Sequence, residues 1–273
     1  MMAYNGKAIM FDMDGVLYRG TSHLPHAAEA VEWARRQGLR IGFITNNSTR
    51  SVKTYLERLA GFGIRGDVSE MMTSAIATAE YIRATYGEGG TAFVIGLEGI
   101  RETLAQIAVD VVGVHDNRKC DYVVVGMSPD FDYKQLTRAQ QEILINKAIF
   151  IGTNNDRTFP WNDGTLRPGG GTIVAAVVAC TDATPIIIGK PNTYMIEMMA
   201  RQYGLKPADC LVVGDRIDTD IVMGRRFGAH TLLVLTGISK RDDVARAVGD
   251  SAPEFVIDDL NGFEKAVESL WGG

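Results

Sequence analysis

Ala8-Ile9-Met10-Phe11-Asp12-Met13-Asp14-Gly15 is a four-residue apolar run that ends in two carboxylates and a glycine. A short uninterrupted apolar run reads as a strand buried on both faces, as parallel strands are. Open parallel sheets place their ligands outside the carboxyl ends of such strands. The pattern returns late in the chain, where Leu211-Val212-Val213 runs into Gly214-Asp215-Arg216 and Asp220 follows. Two acidic strand ends, far apart in sequence, can therefore converge on one site. A third apolar segment, Ile41 to Ile44, ends in Thr45-Asn46-Asn47, and a fourth, Ile186 to Ile188, ends in Gly189-Lys190-Pro191.

Electrostatics narrows what such a site can hold. Asp12, Asp14, Asp215 and Asp220 around one point would repel strongly. Two like charges about 4 Å apart cost roughly 4 kcal/mol at the effective dielectric of a protein surface. A divalent cation and a lysine relieve that repulsion. Mg²⁺ suits hard oxygen ligands and uses one or two carboxylates together with substrate phosphate. Lys190 is the natural cation. Thr45 offers a hydroxyl, Asn46 and Asn47 offer amides to phosphate oxygens, and a helix beginning near Ser51 would turn its N-terminus to the anion. Read blandly, Thr-Asn-Asn-Ser is a turn and helix cap. In such a set one aspartate can act as nucleophile, splitting hydrolysis into two steps. A second carboxylate can serve as acid and then as base. Asp12 and Asp14 share a face if the segment stays extended, but spacing does not decide which is the nucleophile.

Around these motifs strand and helix patterns alternate, which predicts an α/β protein built on a doubly wound parallel sheet. Helices are expected over Pro25–Gln37, Ser51–Ala60, Ser74–Tyr86, near Ile100, over Tyr133–Lys147 and over Thr172–Cys180. Strands are expected at Arg40–Thr45, Thr91–Ile95, Tyr122–Val125, Ala148–Gly152, Cys210–Val213, His230–Leu235 and Phe255–Ile257. Because acid-bearing strands flank it, the middle block reads as an inserted α/β domain over 79–182, leaving 1–78 and 183–273 as the catalytic core. Gly169-Gly170-Gly171 lacks a lysine at Walker spacing and reads as a flexible return from insert to core. Met195, Met198, Met199 and Tyr203 form a helical stripe that core packing explains.

The motifs together resemble the haloacid dehalogenase superfamily. Asp12-Met13-Asp14-Gly15-Val16-Leu17 is similar to its first signature. Phe43 to Asn47, Gly189-Lys190-Pro191 and Gly214-Asp215-Arg216-Ile217-Asp218-Thr219-Asp220 are similar to the three that follow, in the expected order. Within the superfamily the chain resembles the NagD-like and p-nitrophenyl phosphatase branch, with a Rossmann-like core and a large α/β cap of the C2 type. The resemblance implies a phosphatase for small monoesters of sugar, glycerol, glycolate, nucleotide, aryl or pyridoxal type, working through an aspartyl-phosphate. It implies Asp12 as nucleophile and Asp14 as general acid and base with its carbonyl on Mg²⁺. Thr45 and Lys190 would hold phosphate and Asp215 would ligate the metal. Asp220 would orient Lys190 or a metal-held water, with Arg216 and Asn192 as weaker candidates. In the cap, Gly152-Thr153-Asn154-Asn155-Asp156 through Phe159-Pro160-Trp161 would face substrate. Asn155 departs from the more usual Thr-Asn-Pro-Asp.

Bulk properties exclude other classes. The 273 residues allow two domains, the net charge is −5, and no basic run exceeds a pair such as Arg35-Arg36, so nucleic acid and anionic membrane are not expected partners. No apolar stretch has transmembrane length and no signal peptide precedes the first strand, which makes cytoplasm the expected compartment. Three widely spaced cysteines read as buried reduced thiols, and the four histidines never pair at metal-ligand spacing. A cap would exclude water and read the leaving group. The branch admits a homodimer through the cap, although no residue demands one. Alternatives are a phosphotransferase or phosphomutase on the same scaffold, and a non-catalytic phospho-ligand module. A receiver-type regulator also phosphorylates an aspartate but is about half this length and needs no cap.

Overall fold

The computed structural model describes residues 4–160 and 165–272. The chain forms two compact units. One draws on Met1–Thr45, Tyr55–Met72 and Lys190–Gly273, the other on Asn46–Thr54 and Thr73–Gly189.

The first unit is built on a six-stranded sheet. Its order is Phe255–Ile257, His230–Val234, Cys210–Gly214, Ala8–Phe11, Arg40–Thr45 and Met71–Thr73. The Ala8–Phe11 strand lies at the centre with parallel neighbours on both sides, and all four residues are buried, as an unbroken apolar run requires. Helices Ala27–Arg36 and Phe263–Trp271 pack through aromatic rings, with Phe263 5.4 Å from Phe11 and edge-on to Trp33 at 5.8 Å. The methionine stripe of Tyr194–Tyr203 is core packing, with Met195 and Met199 buried, and the Tyr203 hydroxyl donates to the Ile41 carbonyl at 2.6 Å.

Register explains why the acids meet. Phe11 pairs with Val213 on one side and Phe43 on the other, so Asp12, Asp215 and Thr45 all follow at the same carboxyl edge. The Asp12 N–H continues the ladder, donating to the Val213 carbonyl at 2.8 Å. The parallel doubly wound core expected from the alternation is present.

The second unit holds a five-stranded sheet in the order Ile186–Ile187, Ile149–Gly152, Tyr122–Val125, Thr91–Ile95 and Asp110–Val112, with every pairing parallel. Helices Ser74–Tyr86, Glu98–Gln106, Tyr133–Leu144 and Gly170–Thr181 accompany it. Phe93, Val123, Val125, Ile143, Phe150 and Val177 form part of its core.

Several details differ from the sequence reading. The insert is drawn at 73–189 with 46–54 added, rather than at 79–182. Helix Ser74–Tyr86 lies wholly inside it, and Ile186–Ile187 extends its sheet instead of the core sheet. Alternation marks where strands occur but carries no label for the sheet they join. Short elements, the strand Asp110–Val112 and the hairpin Tyr18–Arg19 with Ser22–His23, were too brief and polar to register. The helix from Tyr133 stops at Leu144, before Lys147 at φ 61°.

Gly169 to Gly171 are not a flexible return. They start helix Gly170–Thr181 against backbone, and a Cβ on Gly171 would sit 2.4 Å from the Asn155 carbonyl. The three cysteines are free thiols, Cys120 and Cys210 buried and Cys180 half-buried. Among the described residues, no helix is long and apolar enough to cross a membrane.

Candidate active site

Lys190 is the hub of the first unit's polar cluster. Its Nζ lies 2.5 Å from Asp12 Oδ1 and 2.6 Å from Asp220 Oδ1, and it donates to the Ile44 carbonyl at 3.4 Å. Lys190 and Asp12 keep 4 % and 8 % of their surface and Asp220 none, so the three charges are desolvated together. Lys190 reaches the site from the residues directly after the Ile186–Ile187 strand, which belongs to the other unit's sheet.

Asp215 completes the group. One oxygen from each of Asp12, Asp215 and Asp220 lies within 4.8 Å of the others. Asp220 is brought back by a π-helical turn, Ile217–Ile221, in which the Ile221 N–H reaches the Arg216 carbonyl at 3.2 Å. Such turns recur at functional sites. Asp220 Oδ2 also accepts from the Arg216 N–H at 3.1 Å. Asp215 Oδ2 accepts from the Ile238 N–H at 2.7 Å, and its carbonyl from Ser239 at 3.1 Å. Gly15, at φ 90°, passes so close that a Cβ there would meet the Asp215 carboxylate at 2.5 Å.

The charges follow from burial. Desolvation pushes the Asp12 carboxyl well above the ordinary range, against the pull of Lys190 and with help from Asp220 and Asp215. Asp215 is pushed up to about 7, first by burial and then by Asp220, with the Ile238 N–H opposing. Burial alone would lower the Lys190 ammonium, but Asp12 and Asp220 outweigh it and hold the amine above the usual lysine range.

Asp14 is not one of the three carboxylates that meet within 4.8 Å. Burial raises its carboxyl to about 6, against the opposing charge of Arg58, a hydrogen bond from the Gly20 backbone and the charge of Arg19. The Asp14–Tyr18 bridge and the Gly15 N–H on the Tyr18 carbonyl, at 2.7 Å, fix the loop. Thr236 Oγ1 donates to the Gly15 carbonyl at 2.6 Å. Thr45 is buried at the end of its strand, and Asn192 is half-buried two residues past Lys190.

The remaining expected residues make the following contacts. The Asn46 amide donates to both Asp156 oxygens, at 3.2 and 3.1 Å, within the second unit. The Asn47 side chain caps its own turn, accepting from Thr49 N and Oγ1 at 3.0 and 2.6 Å, which is the bland reading of this stretch. The Arg216 guanidinium pairs with Asp218 at 2.7 Å. In the cap segment, Asn154 is buried and donates to the Asn46 carbonyl at 2.9 Å, and Ser48 shares a 3.2 Å hydrogen bond with Thr153. Trp161 lies outside the described residues. Sequence reading missed Arg58, Tyr18, Gly20 and Ile238, since an arginine on a helix face or a backbone N–H leaves no motif.

Comparison with known proteins agrees with this chemistry. Residues 9–110 match the family model described as haloacid dehalogenase-like hydrolase, and residues 187–263 match a HAD-hydrolase-like model. Glycerol-3-phosphate phosphatase of Mus musculus is 34% identical over 259 residues, covering 86% of this chain and 81% of the relative. The p-nitrophenyl phosphatase from Archaeoglobus fulgidus superimposes with a TM-score of 0.86 at 32% identity, covering 96% of this chain and 99% of that one. The Mycobacterium tuberculosis glycerol phosphate phosphatase, solved in complex with magnesium, gives a TM-score of 0.86 at 28% identity, covering 95% and 77%. With an Asp–Lys–Asp cluster at the carboxyl edge of a parallel core and these likenesses over most of its length, the chain belongs to the haloacid dehalogenase-like hydrolases and is a phosphatase of that family.

Proposed function

We propose that this enzyme hydrolyses small phosphate monoesters in a Mg²⁺-dependent reaction that passes through an aspartyl-phosphate, an acyl phosphate on Asp12. The observation that carries the reading is the buried Lys190 ammonium held between Asp12 at 2.5 Å and Asp220 at 2.6 Å, with Asp215 in the same cluster.

The donor set fits a hard divalent cation. All three carboxylates are buried with their oxygens within reach of one centre, and one lysine leaves them short of positive charge. Asp12 and Asp215, with the Asp14 carbonyl, would hold it, and Asp220 completes the acidic wall. When bound, the cation supplies positive charge that draws electron density off the phosphate oxygens and favours the ionised aspartates.

The protein's own groups do the rest. A carboxylate oxygen of Asp12 attacks phosphorus, and the bond from phosphorus to the ester oxygen breaks. Asp14, with a carboxyl raised to about 6, gives its proton to that departing oxygen. Water then attacks the aspartyl-phosphate at phosphorus, Asp14 takes the water's proton, and inorganic phosphate leaves with Asp12 regenerated. Lys190 steadies the phosphate oxygens through its charge, and Asp220 holds the ammonium in place. Thr45 offers its hydroxyl to a phosphate oxygen.

The named relatives act on glycerol phosphate and p-nitrophenyl phosphate, one aliphatic and one aryl leaving group. That breadth supports a small monoester as substrate here, with a core that handles the phosphate they share. Asp12→Asn tests the reading. Turnover should fall by about four decades or more, and acid quenching of the wild type during turnover of radiolabelled substrate should leave label on the protein. Substantial hydrolysis by the variant, or an unlabelled wild type, would remove Asp12 as nucleophile.

A further inference from the structure

Of the two arginines whose charges bear on Asp14, Arg19 donates to the Thr236 carbonyl, and Arg58 is left unused by the mechanism. It lies on helix Val52–Gly61, half-buried, with its guanidinium 4.3 Å from the centre of the Tyr18 ring. Tyr18 is itself buried, with its ring tilted against Phe62 at 5.7 Å between centres. The Tyr18 backbone is bridged to Asp14, and its carbonyl accepts from Gly15 at 2.7 Å. The guanidinium thus sits over a ring whose backbone is bridged to the general acid. No carboxylate within salt-bridge distance of it is found among the described residues.

Position decides which end of a substrate would meet it. Lys190 is engaged with Asp12 and Asp220, and on the proposed reaction the phosphate binds at that cluster. Asp14 hands its proton to the ester oxygen, so the departing group must lie against Asp14. A cation next to Asp14 therefore faces the leaving group. Arginine never deprotonates in proteins, and its planar fork matches a carboxylate in two hydrogen bonds. A half-buried guanidinium resting on an aromatic face costs desolvation that a bound anion would offset.

We propose that Arg58 is a specificity residue that selects phosphate monoesters of hydroxy acids, whose leaving group carries a carboxylate two or three bonds beyond the scissile oxygen. The assignment rests on the phosphatase reading and on Asp14 as its acid. A purely electrostatic partner of Asp14 predicts something different. Its loss would act alike on all substrates whose leaving oxygens have similar basicity.

The test compares 2-phosphoglycolate with 2-hydroxyethyl phosphate, which differ in the carboxylate but leave through similar alkoxide oxygens. The readout is the ratio of their kcat/KM values in wild type, Arg58→Gln, Arg58→Lys and Arg58→Glu, across a pH series. Wild type should favour phosphoglycolate about tenfold or more. Arg58→Gln should shrink that ratio by roughly 10- to 100-fold, as expected for a charge-assisted contact. Arg58→Lys should keep part of it and Arg58→Glu should reverse it, whatever happens to either rate alone. A ratio unchanged in Arg58→Gln, or a wild type without preference while p-nitrophenyl phosphate is turned over, overturns the inference and leaves the phosphatase reading intact. A wild type that hydrolyses none of the three overturns both.

Discussion

Replacing Asp215 by Asn should stabilise the metal-free protein while abolishing its response to metal. In the folded chain the Asp215 carboxyl titrates at about 7, against 3.8 when freely hydrated, because it is buried and faces Asp220. Between those two pH values the folded state binds a proton that the unfolded chain has released. Stability from this group is therefore fully present below pH 3.8, falls as pH rises towards 7, and is flat beyond. An interval of about three pH units at 1.36 kcal/mol each comes to about 4 kcal/mol of destabilisation at pH 8. Asparagine has the same shape, its oxygen can keep the Ile238 hydrogen bond, and it carries no charge to desolvate. Thermal melts in EDTA should show Asp215→Asn raised by on the order of 10 °C at pH 8, and by about a quarter of that at pH 4.5. Saturating Mg²⁺ should raise the wild-type melting temperature at pH 8 and leave the variant unmoved, since the ion stabilises only a state that binds it. A variant no more stable than wild type at pH 8 in EDTA, or an equal gain at both pH values, would refute the reasoning.

Asp14→Asn should slow alkyl phosphates far more than p-nitrophenyl phosphate, whose leaving group needs no proton. For alkyl substrates wild-type kcat/KM should fall as pH rises through about 6, where Asp14 loses the proton it must donate, and the variant's profile should be flat there. Lys190→Met leaves Asp12 and Asp220 as buried unpaired carboxylates. It should cost about 3–5 kcal/mol in a urea melt at pH 8 and at least roughly a thousandfold in kcat; a fully active variant would remove Lys190 from the phosphate site. Gly171→Ala forces a Cβ to within 2.4 Å of the Asn155 backbone and should cost about 1–3 kcal/mol by denaturant melt. A neutral effect would show that this helix start can yield.

The sequence was most informative where chemistry and strand geometry coincide. Asp12, Asp215 and Thr45 were readable because each ends an apolar run, and parallel pairing carries such ends to one edge. Lys190 was readable for the same reason, although its strand joins the other sheet. The motif located the residue, while the assignment of Ile186–Ile187 depended on pairing with Ile149–Gly152, which no local signal encodes. Asn46 and Asn47 show the opposite limit. Their amides suit phosphate as a residue type, but residue type does not announce that the Asn47 Oδ1 accepts from Thr49 or that the Asn46 amide donates to Asp156, far along the chain. Arg58 and the Ile238 N–H were invisible because they act through position alone.

The buried Asp12–Lys190–Asp220 arrangement makes sense only as a site. Two carboxyl groups and one ammonium, almost fully removed from water, carry a desolvation cost that hydrophobic residues of similar volume would avoid. The second carboxylate is held with care, since the π-helical turn and the Arg216 N–H aim Asp220 at Lys190. Geometry of this quality spent on an unstable charge pattern implies a ligand set that corrects the charge. On the function proposed above, that correction would have two parts: a divalent cation on the Asp12 and Asp215 oxygens, and a phosphate whose own negative charge would take the ammonium. A site built for phosphate alone would need fewer carboxylates, and one built for a cation alone would have no use for Lys190. The proposed reaction, which brings metal and phosphate together, would use every charge in the cluster.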